Sequence, residues 1–141
     1  MKRLAMLFLM CGTFLAMGAD ELDVTVGWNY SKGGRARLRT TSLTEHDVAG
    51  DAVIDNLQNV ATNATGTALL LGGVTEAGFG WFQNTDASNQ VSIGTMDANT
   101  NFVAFVRLRP AESAALWLAT TNVYAVAYTN AVDLDYSIFS R

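Results

Sequence analysis

Residues 78–94, Gly-Phe-Gly-Trp-Phe-Gln-Asn-Thr-Asp-Ala-Ser-Asn-Gln-Val-Ser-Ile-Gly, set the strongest limit on what this chain can fold into. Two short apolar runs, 79–82 and 91–93, flank a loop of Asn, Asp, Ser and Thr. Those side chains hydrogen-bond nearby backbone and tolerate unusual dihedrals, so they favour turns over ladders. Neither apolar run is long enough for a helix. The unit reads as strand, loop, strand near the middle of an all-β domain.

Period-2 alternation recurs on both sides of it. Leu22, Val24, Val26 and Trp28 sit two apart, as in a half-buried strand. Lys32-Gly33-Gly34 reads as a turn, and residues 35–41 alternate again, so the first two strands form an antiparallel hairpin. Thr44-Glu45-His46-Asp47 suits a short helical turn or plain loop. Over 48–60, Val53, Ile54, Leu57 and Val60 match a short amphipathic helix, with a strand around 57–61 in competition. Residues 68–71 read as a buried strand closed by Gly72-Gly73. Residues 102–108 are strongly strand-like and are stopped by Pro110, which has no N–H to donate. Residues 111–118 fit helix, or turn then strand. The last strands are 123–129 and 132–139, joined by a tight connection.

The expected architecture is a single antiparallel β-sandwich, jelly-roll-like, over residues 20–141, with turn signals every eight to fifteen residues. Residues 1–18 stand apart. Lys2 and Arg3 precede an uncharged apolar run over 4–17, and Ala16-Met17-Gly18 places small residues before Ala19. This is the layout of a secretory signal. The run is short for a membrane span, which needs roughly 20 residues, so any membrane contact is expected through residues 1–18 alone, if they are uncleaved. Cleavage would remove Cys11, the one cysteine, and with it any thiol or disulfide chemistry.

Composition narrows the function classes. The chain has 141 residues, 50% of them hydrophobic and 16% charged, which suits one domain with a real core rather than a disordered chain. A net charge of −4 argues against a nucleic-acid binder, which wants a cationic surface to displace counterions. His46 is the one histidine, so a metal or acid–base role would lack a second ligand, and an exposed loop is expected. No Gly-x-Ser-x-Gly is present, and Ser31, Ser42 and Ser92 sit in turn or strand contexts. Asn84, Asp86, Ser88 and Asn89 resemble half of a calcium loop but lack its acidic count and closing Glu, which favours turn stabilisation. Asp133 and Asp135 share a strand face that is expected to be solvated or an interface. The aromatic residues, Trp28, Trp81 and Trp117 among them, are expected in the core rather than on a sugar-stacking platform. Trp81 and Phe82 cannot both face inward, and Phe82 is the one expected outside.

Arg35, Arg37 and Arg39 are the sharpest feature. At period 2 they lie on one side of one strand, and like charges in a row repel. Two readings stand side by side: protection of an edge strand from stray pairing, or a subunit interface with acids such as Asp20, Glu21 and Asp23 of a neighbour.

Residues 78–94, 102–108, Arg109-Pro110-Ala111-Glu112, 116–118, Val123-Tyr124-Ala125 and 134–138, together with Trp28-Asn29-Tyr30-Ser31 and Leu70-Leu71-Gly72, resemble small structural proteins of tailed-phage virions. That resemblance implies a central hairpin with an Asn-rich tip, a turn, and a closing pair of strands. It departs at Ala111, where a Gly would be usual, and at the secretory-type N-terminus, unexpected on a virion component made in the cytoplasm. The expected function is a non-enzymatic structural subunit, such as a head decoration, fibre or tail component. Its partners would be copies of itself and other virion proteins, with no cofactor, metal, nucleic acid or small-molecule substrate. The alternative is a secreted, periplasmic or surface sandwich that binds carbohydrate or protein.

Overall fold

Val132, Leu134, Tyr136 and Ile138 alternate with Asp133, Asp135, Ser137 and Phe139, and the structure buries the first set completely. They belong to the last strand, β12 (Val132–Ser140), which pairs antiparallel with β5 (Val53–Val60) on one side and β7 (Ala77–Asn84) on the other. The structure is a computed structural model that describes residues 21–25, 27–32, 35–40, 44–47 and 52–141. The expected leader over residues 1–18 lies outside the described residues, as does Cys11.

The remaining sandwich strands are β6 (Thr67–Ala68), β8 (Val91–Met96), β9 (Phe102–Leu108), β10 (Ser113–Trp117) and β11 (Tyr124–Ala127). One sheet has the order β10-β7-β12-β5 and the other β6-β11-β8-β9. Read along the chain, β5 pairs with β12, β6 with β11, β7 with β10 and β8 with β9. That nesting is one long hairpin, turned back at the β8–β9 loop and wrapped over itself. The wrap then adds the β12–β7 and β11–β8 pairs. This is the jelly roll, as expected from the strand spacing. Its core lies between the sheets, with Phe82, Leu134, Tyr136 and Ile138 from one layer and Val91, Ile93 and Leu108 from the other. The small Ala125 and Ala127 on β11 complement the bulky Phe82 and Tyr136 within that core.

Four earlier strands stand outside the sandwich: β1 (Glu21–Val24), β2 (Gly27–Lys32), β3 (Arg35–Thr40) and β4 (Thr44–Asp47). β1 pairs with β4 and β2 with β3, each as a two-stranded sheet, so the second pair is nested within the first. A hairpin is present, but with other bounds than expected: the strand expected over 22–28 is divided between β1 and β2, residues 29–32 are strand rather than connection, and Lys32 faces Arg35 across 33–34, outside the described residues.

Several local expectations are corrected. Residues 44–47 are strand, not helical turn. Residues 53–60 are strand throughout: burial alternates with period 2 and places Ile54 toward the core and Leu57 outside, at 62% exposure, so the helical spacing was incidental. Residues 68–71 are not one buried strand, because β6 ends at Ala68 and Leu70 points outward while Leu69 is buried. Residues 111–118 are turn then strand. The central unit is not a hairpin, and the last two strands are not a pair. β7 and β12 lie in one sheet, β8 and β11 in the other, so both connections cross between layers.

Asn84 shows why the chain crosses there. It is fully buried at the end of β7, and its Nδ2 donates to the carbonyls of Asn89 at 2.8 Å and Arg109 at 3.0 Å. Its Oδ1 accepts the Asp86 amide at 3.0 Å. One amide side chain thereby ties the strand end to the β7–β8 connection and to the turn after β9. Trp81 and Phe82 also reverse expectation: Phe82 is fully buried and Trp81 faces outward, half-buried. Phe82 falls in phase with Tyr136 across the ladder, and β12 decides which face is inside.

Tyr136 supplies the core's polar tie. Its hydroxyl lies 2.9 Å from each of Asn56 Nδ2, Gln58 Oε1 and the Leu70 carbonyl. Burial raises its phenol above the ordinary value, while the hydrogen bond donated by Asn56 pulls the other way. Tyr136→Phe keeps the ring and leaves those groups short of a partner. It should cost about 1–2 kcal/mol in denaturant unfolding, and no change in midpoint would discount the tie.

The turn after β9 explains the departure at Ala111. Pro110 fixes a negative φ, Ala111 follows at φ 60°, and the Glu112 amide donates to the Arg109 carbonyl at 3.1 Å. That is a type II turn, whose third position favours Gly. An L-residue pays roughly 1–2 kcal/mol for the left-handed conformation, partly offset by the greater unfolded-chain freedom of Gly, about 0.4–1 kcal/mol. Ala111→Gly should therefore raise stability by about 0.5–1 kcal/mol, read as a higher unfolding midpoint. A lower midpoint would contradict the turn assignment.

Candidate functional site

Alternation within a paired ribbon sorts residues onto two faces. In β2–β3 the register sets Trp28 opposite Arg39, Tyr30 opposite Arg37, and Lys32 opposite Arg35. These three cross-strand pairs occupy one face of the ribbon. The other face holds the pairs Gly27–Thr40, Asn29–Leu38 and Ser31–Ala36. The register therefore sets Arg35, Arg37 and Arg39 at alternate positions of β3, with Lys32, Tyr30 and Trp28 at the facing positions of β2. The sequence had placed Lys32 only in a turn, because the pairing frame was needed to see it as a neighbour of Arg35. No acid occurs between residues 27 and 40. Arg37 is exposed, and no ion pair to it is found among the described residues. Leu38 is 73% exposed, so the opposite face is not buried at that point.

The outer face of the β10-β7-β12-β5 sheet is divided. At one end are Phe79, Trp117 and Phe139, with Phe79 edge-on to Trp117 at 5.4 Å between ring centroids and 6.2 Å from Phe139. Leu22, Val24 and Thr25 of the ribbon base lie across this end, and with Phe79, Trp81 and Phe139 they line an open cavity of about 370 Å3. The other end is acidic. Asp133 and Asp135 follow each other on β12, and Asp55 on β5 faces Ser137. Ser137 Oγ donates to Asp55 Oδ1, and Asn59 Nδ2 donates to Asp133 Oδ1 at 2.8 Å. The expected pairing of Asp133 and Asp135 on an outward face is met. Asp55 was missed, since the helix reading of 48–60 left its face undecided.

The other candidates do not gather into a site. Asp86 Oδ1 accepts from the Ser88 amide at 2.7 Å, the Asn89 amide at 2.6 Å and Asn89 Nδ2 at 3.1 Å. That oxygen is saturated by its own loop, as turn stabilisation requires. Asp97 does the same in the β8–β9 loop, taking the Asn99 and Asn101 amides, each at 2.8 Å. His46 lies in β4 opposite Leu22 rather than in a loop, and its side chain is outside the described part. Ser92 is buried and shares a hydrogen bond of 2.9 Å with the Tyr128 hydroxyl, which also receives Arg107 Nη2 at 2.6 Å. Among the described residues no group of three His, Cys, Asp or Glu side chains is placed to hold a metal ion. None of the helices long and apolar enough to cross a membrane is found there either.

Comparison with protein-family models, with curated proteins and with solved structures finds no match to this chain.

The two loop aspartates give a pH prediction. Backbone donation from Asn89 and then Ser88 holds the Asp86 carboxyl below its ordinary 3.8, and the Asn101 side chain and amide do the same for Asp97. A lowered carboxylate stabilises its loop above the unfolded value and loses that contribution as pH falls through the folded one. The amide resonances of Ser88, Asn89, Asn99 and Asn101 should therefore titrate with midpoints below 3.8. Midpoints at or above that value would show the loops to be held otherwise.

Proposed function

We propose that this chain is a non-enzymatic structural subunit of a phage-like virion, a head decoration, fibre or tail component, that works by self-association and docking. The reading rests on one observation: a cationic two-stranded ribbon stands apart from an acidic sandwich. A two-stranded hairpin is marginally stable in water by itself. The ribbon is anchored at its base, where Leu22 and Val24 line the aromatic end of the outer sheet face, while β2 and β3 form a sheet of their own. Docking on a larger surface would supply the third layer that the ribbon lacks. Jelly rolls serve viral capsids, lectins and cupins alike, so the fold by itself selects none of these roles. Arg35, Arg37 and Arg39 are the residues proposed at the subunit interface, and the virion is the proposed location.

A secreted or surface sandwich that binds carbohydrate is the second reading. It is favoured by the aromatic end of the outer face, where Trp117 is 50% exposed beside Phe79 and Phe139. Phe79 is itself buried, so a sugar would stack on Trp117 or Phe139, next to the cavity that Phe79, Trp81 and Phe139 line.

Two measurements separate the readings. Mass spectrometry of purified virus particles from the producing cells should find the chain, and the purified protein should grow in scattering mass with concentration. Absence from particles, with a strictly monomeric protein that binds on a glycan array, would replace the first reading by the second.

A further inference from the structure

Charge is segregated along this chain. Lys32, Arg35, Arg37 and Arg39 lie within 27–40 with no acid among them, while from residue 44 onward the cations are Arg107, Arg109 and Arg141 against ten acids. On the outer face of the β10-β7-β12-β5 sheet the charged residues are Asp55, Asp133 and Asp135, and none is basic.

The two faces match in pitch as well as sign. In the ribbon the cations occupy three successive levels on one face: Lys32 with Arg35, then Arg37, then Arg39. On the sheet the carboxylates occupy three successive levels: Asp55 opposite Ser137, then Asp135, then Asp133. Same-face neighbours along any strand repeat every about 6.7 Å. The repeat is common to all strands, so spacing does not hinder three cationic levels from facing three acidic ones, with Asp55 one strand to the side of Asp135 and Asp133. Stacked sheets approach to about 10 Å, within reach of Arg and Asp side chains together. Asp55 and Asp133 are exposed, and each spends one oxygen, Oδ1, on the hydrogen bond from Ser137 or Asn59.

We infer that the cationic face of the β2–β3 ribbon of one copy docks on the Asp55–Asp135–Asp133 face of a second copy. The inference rests on the assembly reading above and names the acceptor surface for it. It differs from a contact with Glu21 and Asp23, which belong to β1 rather than to the sandwich sheets. Because donor and acceptor are different patches, the contact is heterologous. Each copy keeps a free ribbon and a free acidic face at the two ends of an assembly, so copies add head to tail into rings or open filaments. A duplex nucleic acid would offer the ribbon negative charge too, but it would leave the acidic sheet face without a counterpart.

The test is a charge swap on the full chain, read by sedimentation velocity at low and high salt. Arg35→Glu/Arg37→Glu/Arg39→Glu reverses the ribbon, and Asp55→Lys/Asp133→Lys/Asp135→Lys reverses the face. Each variant alone should associate at least about tenfold more weakly than the unmodified chain, and high salt should weaken the unmodified chain as well. An equimolar mixture should associate again, since every ribbon then finds a face of opposite sign in the other variant. Far-UV circular dichroism checks that both variants keep their strands, and recovery in the mixture excludes misfolding as the cause of the loss. If the ribbon reversal weakens association and the face reversal does not, this pairing is wrong while the assembly reading stands. Failure of two folded variants to associate on mixing overturns the pairing in the same way. An unmodified chain that stays monomeric overturns both readings. If that monomer binds a short DNA duplex through its ribbon, the ribbon is a polyanion contact instead.

Discussion

Everything in the sandwich depends on the pairing of β12 with both β5 and β7. β12 is the last strand in the chain, and its two partners lie far back in sequence, so the layer closes only when the C-terminus arrives. Loop-closure entropy makes such contacts costly until the apolar face beneath them is buried. The alternation of Val132, Leu134, Tyr136 and Ile138 supplies that burial in one stroke. It also fixes the phase of the neighbours: Phe82 faces inward because Tyr136 does, and Trp81 is left outside with Ser137. A slip of one residue would exchange those faces entirely.

Corners matter as much as faces in a wrapped hairpin. Asn84 holds the end of β7 to the β7–β8 connection and to the turn after β9, so a single buried amide serves two layers. At the opposite sheet, the β8–β9 register shifts between Ile93 and Gly94. A Cβ on Gly94 would overlap the Val103 carbonyl, so only glycine admits the close approach of β9 there. The irregularity falls on an edge strand whose Val103 and Phe105 are 48% and 43% exposed. A bulge at such an edge discourages stray pairing by twisting the ladder away.

The ribbon carries the opposite logic. Among the described residues its strands have no third partner, its cations alternate along the paired strands, and its base lies across aromatic side chains of the outer sheet. Repulsion along the row favours a surface of opposite sign. The outer sheet face shows the mirror of that demand, with carboxylates at strand spacing and no basic residue beside them. Edge protection and subunit contact make the same use of Arg35, Arg37 and Arg39 on the ribbon and differ in whether an acidic surface meets them.

Period-2 patterns were enough to read the class of fold, the N-terminal hairpin, the faces of β12 and the placement of three arginines together. A side chain's parity along an extended strand is fixed by covalent geometry, so it is written in the order of residues. Parity does not say which strand lies beside which. For that reason 78–94 looked like a hairpin although its strands belong to different layers, Leu57 and Ile54 passed for one helical face, and Phe82 was sent outward. The same gap hid Asp55 from Asp133 and Asp135, and Lys32 from the arginines. Local sequence determined what each strand could show on its two sides. Only the tertiary pairing decided which side met the core, because burial is a property of the strands that come to lie opposite, and those come from distant parts of the chain.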